Sequence, residues 1–178
     1  LCDPVDVIDK ATLRMRMRQV LELVDDRELR SVELWSRLAE LPAYAAARTV
    51  MAFASMANEP DTDGLFARLA LDSKVLVLPR MEGDVIVPVV MTGAVTVGRW
   101  DIREPVGPAI DPTTIDLVVV PGVAFTLDGR RLGHGKAFYD RFLPGTPATT
   151  VGVCFSEQLV DDLPTEAHDI RLHHVVHA

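Results

Sequence analysis

Cysteine is scarce: Cys2 and Cys154 are the only two thiols in 178 residues. Two thiols without metal-type spacing exclude a cysteine metal cage, and a chain of this length needs no disulfide framework to bury a core. A reducing cytoplasm is the expected setting. Positive charge is also in short supply. Eighteen Lys and Arg against twenty-six Asp and Glu leave a formal charge of −8, which argues against a nucleic-acid binder relying on a broadly basic surface. Long apolar stretches are missing too. The longest charge-free runs, 85–98 and 143–156, contain proline and glycine and are too short for a bilayer span, so no membrane partner is expected. The chain starts at Leu1 without a basic-then-apolar leader pattern, and that start is expected to reflect trimming.

What is present is a chain 48% apolar with no internal repeat or linker, expected to form one domain over residues 1–178 and to act as a monomer. From about Val5 to Val24 apolar residues recur at helical spacing, and a second amphipathic helix is expected from Ser31, a plausible N-cap, to Leu41. Then the rhythm changes. "TVMAFAS" (49–55), "KVLVLPRM" (74–81), "VIVPVVM" (85–91), "DLVVVPGVAF" (116–125) and "TTVGVCF" (149–155) are short and rich in β-branched residues, as buried strands are. Helical segments expected at 61–71 and 134–143 separate several of them, while 100–114 reads as an irregular proline-rich connection. The alternation predicts an α/β fold with a largely parallel sheet flanked by helices. Ligands of such sheets gather beyond the carboxyl ends of the strands.

Two loops there carry chemistry. In "RRLGHGKAFYDRF" (130–142), glycines allow close backbone approach, while Arg131 and Lys136 supply charge for an anion such as phosphate. Asp140 is placed to share a magnesium ion with those phosphates, or simply to pair with Lys136 or Arg141. Phe138 and Tyr139 cannot both point inward on one helix. In "SMANEPDT" (55–62), Glu59 follows a strand end and is spare after Asp61 or Thr62 caps the next helix; it suits the paired N–H groups of a pterin, or is an exposed loop acid. Trp100 is either core or a flat wall for a flat ligand. Lys10, Arg14 and Arg18 recur at i, i+4, i+8, so their charges repel unless an anion or acids elsewhere in the fold relieve them. The histidines of "RLHHVVHA" lack metal-cage spacing and read as a strand, but Asp169 just before them is a possible second acid for magnesium.

Six blocks, "KATLR" (10–14), "SMANEPDT" (55–62), "VLPRM" (77–81), "WDIREP" (100–105), the run from Asp116 to Leu143 and "QLVDDLPTEAHD" (158–169), together resemble the 5-formyltetrahydrofolate cyclo-ligase family. The resemblance covers nearly the whole chain in order, is most specific from Pro121 to Leu143, and implies a Rossmann-like layered α/β fold. It implies a reaction in which ATP phosphorylates the formyl oxygen of 5-formyltetrahydrofolate, N10 attacks the activated carbon, and 5,10-methenyltetrahydrofolate, ADP and phosphate are released with Mg2+. It further implies roles by position. Lys10, Arg14, Arg131, Gly133, His134, Gly135, Lys136, Ala137, Phe138 and Tyr139 would hold ATP, with Arg131, Lys136 and Tyr139 catalytic. Met56, Glu59, Trp100, His134 and Phe138 would line the folate site, and Asp140 and Asp169 would bind magnesium. The loop departs from the family's usual G-x-G-[GK]-G-[YF]-Y-D at Ala137, where a Cβ replaces a glycine hydrogen; His134 and Phe138 are further departures. A non-catalytic folate- or nucleotide-binding paralogue and a sugar-phosphate isomerase on a similar fold are the competing expectations.

Overall fold

A computed structural model of the chain describes residues 9–98 and 102–178. Helices α1 (Lys10–Glu22), α2 (Arg27–Ala39) and α3 (Pro42–Ala46) precede strand β1 (Thr49–Met51), α4 (Asp63–Leu71), β2 (Val75–Glu82) and β3 (Val85–Val90). There follow β4 (Val95–Val97), β5 (Arg103–Pro105), β6 (Leu117–Val120), β7 (Ala124–Phe125), β8 (Arg131–Leu132), α5 (Phe138–Phe142), β9 (Thr149–Cys154) and β10 (His174–His177). Six strands form the main sheet in the order β10-β9-β6-β1-β2-β3. Every neighbouring pair is parallel except β2 and β3, which close a hairpin through Gly83 at φ 62°. Glycine takes that left-handed conformation without the penalty a Cβ would impose.

The sheet is covered on both faces, and period-2 alternation decides which residue goes where. Val50, Leu117, Val119, Val151 and Val153 meet Leu34 and Leu38 of α2 and Leu65 and Leu69 of α4 on one face. On the other, Met51, Val77, Val118, Val120 and Cys154 pack with Phe125 and Phe142. Helix α1 lies outside this sandwich, seating Leu13 and Met17 on Val123, Ala124, Leu132 and Leu163.

Four expectations are corrected. Ser31 lies inside α2 rather than at its start: its hydroxyl donates to the Arg27 carbonyl at 2.6 Å and accepts the Asp61 N–H at 2.9 Å, tying α2 to the entry of α4. Asp26 begins that helix in a left-handed conformation. The apolar run 116–125 is two strands, because Pro121 and Gly122 break it and β7 turns to pair antiparallel with β8. The buried Gln158 side chain satisfies the break by donating to the Gly122 and Val123 carbonyls at 2.9 and 3.2 Å. The helix expected from residue 134 begins only at Phe138, since Gly135 (φ 99°) and Ala137 (φ 51°) hold non-helical backbone before it. Within 102–114 the connection is not wholly irregular: β5 pairs with β4, and a short 3-10 turn spans Pro112–Thr114.

Candidate active site

The chain leaves β1 toward α4 and β2, and leaves β6 toward β9 on the other side, so adjacent strands β1 and β6 open a crevice where connections run opposite ways. Such a switch point is the favoured ligand position of an open α/β sheet. A cavity of about 420 Å3 lies there, floored by Phe53, Ala54 and Pro121 just past the two strand ends. Of the expected site residues, Met56, Glu59, Arg131, Gly133, His134, Lys136, Ala137, Phe138, Tyr139 and Asp140 all line it. The two loops singled out in the sequence therefore share one cavity.

Strand β8 sets Arg131 at the base of the loop. Its side chain is only 4% exposed, donates from Nη2 to Asp140 Oδ1 at 2.8 Å and from Nη1 to the Pro121 carbonyl at 3.3 Å, and its buried Nε has no acceptor. Its guanidinium also lies 5.6 Å from the Tyr139 ring centre. Asp140 thus pairs with Arg131, not with Lys136 or Arg141; Arg141 instead donates to the Lys136 and Asp84 carbonyls. The Lys136 side chain is exposed at the cavity and has no ion-pair partner among the described residues. Burial, with the nearby charge of Glu59, pushes the Tyr139 hydroxyl above its ordinary range, and Arg131 only partly offsets this. Tyr139 is a neutral hydroxyl near pH 7. Phe138 and Tyr139 are both partly buried against the core, contrary to the expectation that only one points inward, since each divides its surface between the core and the cavity.

Glu59 is not spare. Its Oε2 accepts the Met56 N–H at 2.9 Å, closing the turn at 56–59, and its Oε1 lies 3.3 Å from His134 Nε2. The acid is buried, the histidine half-exposed, so His134 sits over Glu59 at the cavity mouth. Cap duty on α4 goes to Asp61, whose carboxylate accepts the Asp63 N–H at 3.0 Å.

The remaining expected residues lie beside this cavity. Arg14 Nε donates to the Gly133 carbonyl at 2.8 Å, and the Arg14 guanidinium packs on Gly135, where a side chain would meet it at 3.5 Å. Lys10 is 2.7 Å from Asp169 Oδ2 and 3.0 Å from Glu166 Oε2, so acids of its own chain answer its part of the helix repulsion. Burial alone would pull the Lys10 ammonium down, but those two hydrogen bonds hold it above the ordinary lysine value. For Asp169, burial works upward and the Lys10 hydrogen bond downward, and the latter prevails. Asp169 borders a second cavity of about 210 Å3, whose wall also includes Arg131. Glu166, His168 and Asp169 bring ligand atoms within 4.8 Å of one another, yet Lys10 already occupies both acids. Trp100 lies outside the described residues. The Cys154 thiol, pushed up to about 12 by burial, is inert packing and no nucleophile.

Further residues complete the cavity, all but Arg18, a member of the helix-face cation row, without a role in the sequence analysis. Glu104 and Ile102 from the β5 segment, Pro79 and Met81 from β2, Ile86 from β3 and Arg18 from α1 all line it. The three-residue strand β5 is too short to display an alternation that would have marked Glu104 as inward-facing.

These features place the protein among α/β enzymes whose sites lie beyond the carboxyl edge of a mostly parallel sheet. More particularly, the chain belongs to the 5-formyltetrahydrofolate cyclo-ligase family, whose profile matches residues 7–178. It is 30% identical to the 5-formyltetrahydrofolate cyclo-ligase of Mycolicibacterium smegmatis across 94% of this chain and 90% of that one. The solution structure of Aquifex aeolicus 5,10-methenyltetrahydrofolate synthetase superposes with a TM-score of 0.84 at 35% identity, covering 94% of this chain and 89% of the other. The Mycoplasma pneumoniae 5,10-methenyltetrahydrofolate synthetase shares the fold, with a TM-score of 0.79 at 23% identity over 95% of this chain and 98% of the other.

Proposed function

We propose that the protein cyclises 5-formyltetrahydrofolate to 5,10-methenyltetrahydrofolate at the expense of ATP, releasing ADP and phosphate. The observation that carries this is the convergence of Arg131, Lys136 and Tyr139 with Glu59 and Met56 around one cavity. A formamide carbon is a poor electrophile and its oxygen a poor leaving group, so phosphorylation of that oxygen comes first. Attack by N10 is then intramolecular, and the protein's work is positioning and charge stabilisation. The buried Arg131 Nε lacks an acceptor, an unfavourable state worth about 1–3 kcal/mol that a phosphoryl oxygen would relieve. Lys136 adds charge from the open side, and the neutral Tyr139 hydroxyl is a donor available to the same oxygens. Glu59, already fixed by Met56, would accept the amino and ring N–H groups of the pterin once His134 swings off it. Arg14 and Gly135 would close the nucleotide end of the loop, with Lys10 behind them.

Asp140 and Asp169 fit magnesium. Both are hard oxygen donors, each keeps one oxygen without an N–H donor among the described residues, and the Ile170 N–H reaches Asp140 Oδ1 at 3.4 Å, joining the two segments. Bound there, the ion would draw charge from the phosphates. On this proposal the protein is a one-domain monomer acting in the cytoplasm. No helix among the described residues is long and apolar enough to cross a membrane.

Mixing the protein with both substrates and Mg2+ tests the proposal: absorbance of the conjugated methenyl product should rise only when ATP is present. Folate or nucleotide binding without turnover would instead identify a non-catalytic paralogue. Lys136→Ala should lower turnover about 100-fold with thermal stability nearly unchanged, since an exposed ammonium adds little to the core; wild-type turnover in that variant would remove Lys136 from the mechanism.

A further inference from the structure

Glu104 is the one buried acid of the cavity that neither the resemblance nor the sequence pattern assigns. It is 8% exposed, lines the 420 Å3 cavity and has no hydrogen bond or ion pair among the described residues. Glu59, the other glutamate on the same cavity, has a neighbour on each oxygen. The local backbone is built around the Glu104 carboxylate. Gly98 lies directly under it, across the β4–β5 hairpin, and a Cβ at 98 would fall 2.2 Å from Glu104 Cδ and 2.3 Å from its Oε1. The carboxylate meets solvent only where it borders the cavity and finds no donor within the described residues, so a donor brought by the ligand can take the place of water there.

On the cyclo-ligase reading, on which this inference rests, the substrate brings a proton that has to leave. N10 is a secondary amine in 5-formyltetrahydrofolate and carries no hydrogen in the methenyl product. Glu59 suits the amidine-like edge of the pterin, Asp140 is paired with Arg131, His134 stands at the mouth against Glu59, and Lys136 and Arg131 carry no lone pair to accept a proton when charged. We propose that Glu104 is a catalytic residue, the base that takes the N10 proton during ring closure. The N10 lone pair forms the new bond to the phosphorylated formyl carbon while the N10–H proton passes to the Glu104 carboxylate. The C–O bond then breaks, its electron pair leaves with phosphate, and the N5 lone pair forms the C=N bond of the methenyl cation. The proton on Glu104 is afterwards released to water as product departs.

Glu104→Gln keeps the shape and removes the basicity. Rapid-mixing assays following ADP and methenyl product separately should show about one ADP per enzyme formed at the wild-type rate. Cyclisation and kcat should fall about 100-fold or more, with KM for the folate changed less than about threefold. Glu104→Ala should regain part of its turnover with added formate, whereas a purely structural defect would not. Gly98→Ala, which displaces the acid without removing it, should show the same lag between ADP and product, and it carries the test should Glu104→Gln fail to fold. Parallel slowing of ADP and product, or a raised KM with kcat kept, would overturn the role of Glu104 while leaving the cyclo-ligase reading intact. Absence of ATP-dependent product from the wild type would take down both.

Discussion

Ala137 is where the loop departs most plainly from its family, and its backbone shows what the departure does. At φ 51° and ψ 27° it adopts the left-handed conformation that the usual glycine enters freely, immediately before α5. An L-residue pays about 1–2 kcal/mol for that region, and glycine loses about 0.4–1 kcal/mol through the greater freedom of its unfolded chain. Ala137→Gly should therefore raise stability by about 0.5–1 kcal/mol, a gain of about 2 °C in Tm measured by thermal denaturation. A lower Tm would mean that the methyl group packs more usefully against the cavity wall than its strain suggests. The loop thus holds a conformation suited to glycine at this position despite carrying a methyl group there.

Among elements, the starts of β1, β6 and β9 are tied together by Asp116. Its Oδ2 accepts the Arg48 and Thr49 N–H groups at 2.8 Å each, and its own N–H and carbonyl bond Thr49 and Thr149 at 3.0 Å. The Thr49 N–H and then the Arg48 N–H hold the carboxyl below the ordinary aspartate value of 3.8. A depressed acid stabilises the fold fully above its unfolded pKa, and that contribution disappears as pH falls through the lower folded value. Asp116→Asn should therefore lower Tm at pH 7, with the gap to wild type narrowing below about pH 4; a gap that stays constant to pH 2 would show that the charge is irrelevant. Strands of this kind were legible because Val-rich buried runs have few other uses. Turns within them were not. Pro121 and Gly122 redirect the chain so that Arg131 stands on a strand, a tertiary choice enforced by Gln158 from 36 residues away. Ser31 misled for a similar reason: a hydroxyl that caps in isolation is used here to join two helices.

For the whole molecule, strand–helix alternation was enough to anticipate a mostly parallel sheet, and the two loops singled out beyond its carboxyl edge do share one cavity. Cavity-lining positions were recognisable where they sat in dense motifs, as at 131–140, and invisible where a lone residue reached in from a short strand, as with Glu104. One consequence concerns the guanidinium of Arg131, which belongs to the walls of both the larger and the smaller cavity. A side chain with two neighbouring vacancies cannot be repositioned for one occupant without altering the other. On the proposed reading, in which nucleotide and folate both meet Arg131, their binding free energies are linked, and linkage is reciprocal: whatever factor a non-hydrolysable ATP analogue applies to folate affinity, folate applies to the analogue. Calorimetry in both orders of addition should return the same factor, different from one. In Arg131→Lys, where the fork that spans the two walls is lost, the factor should collapse toward one.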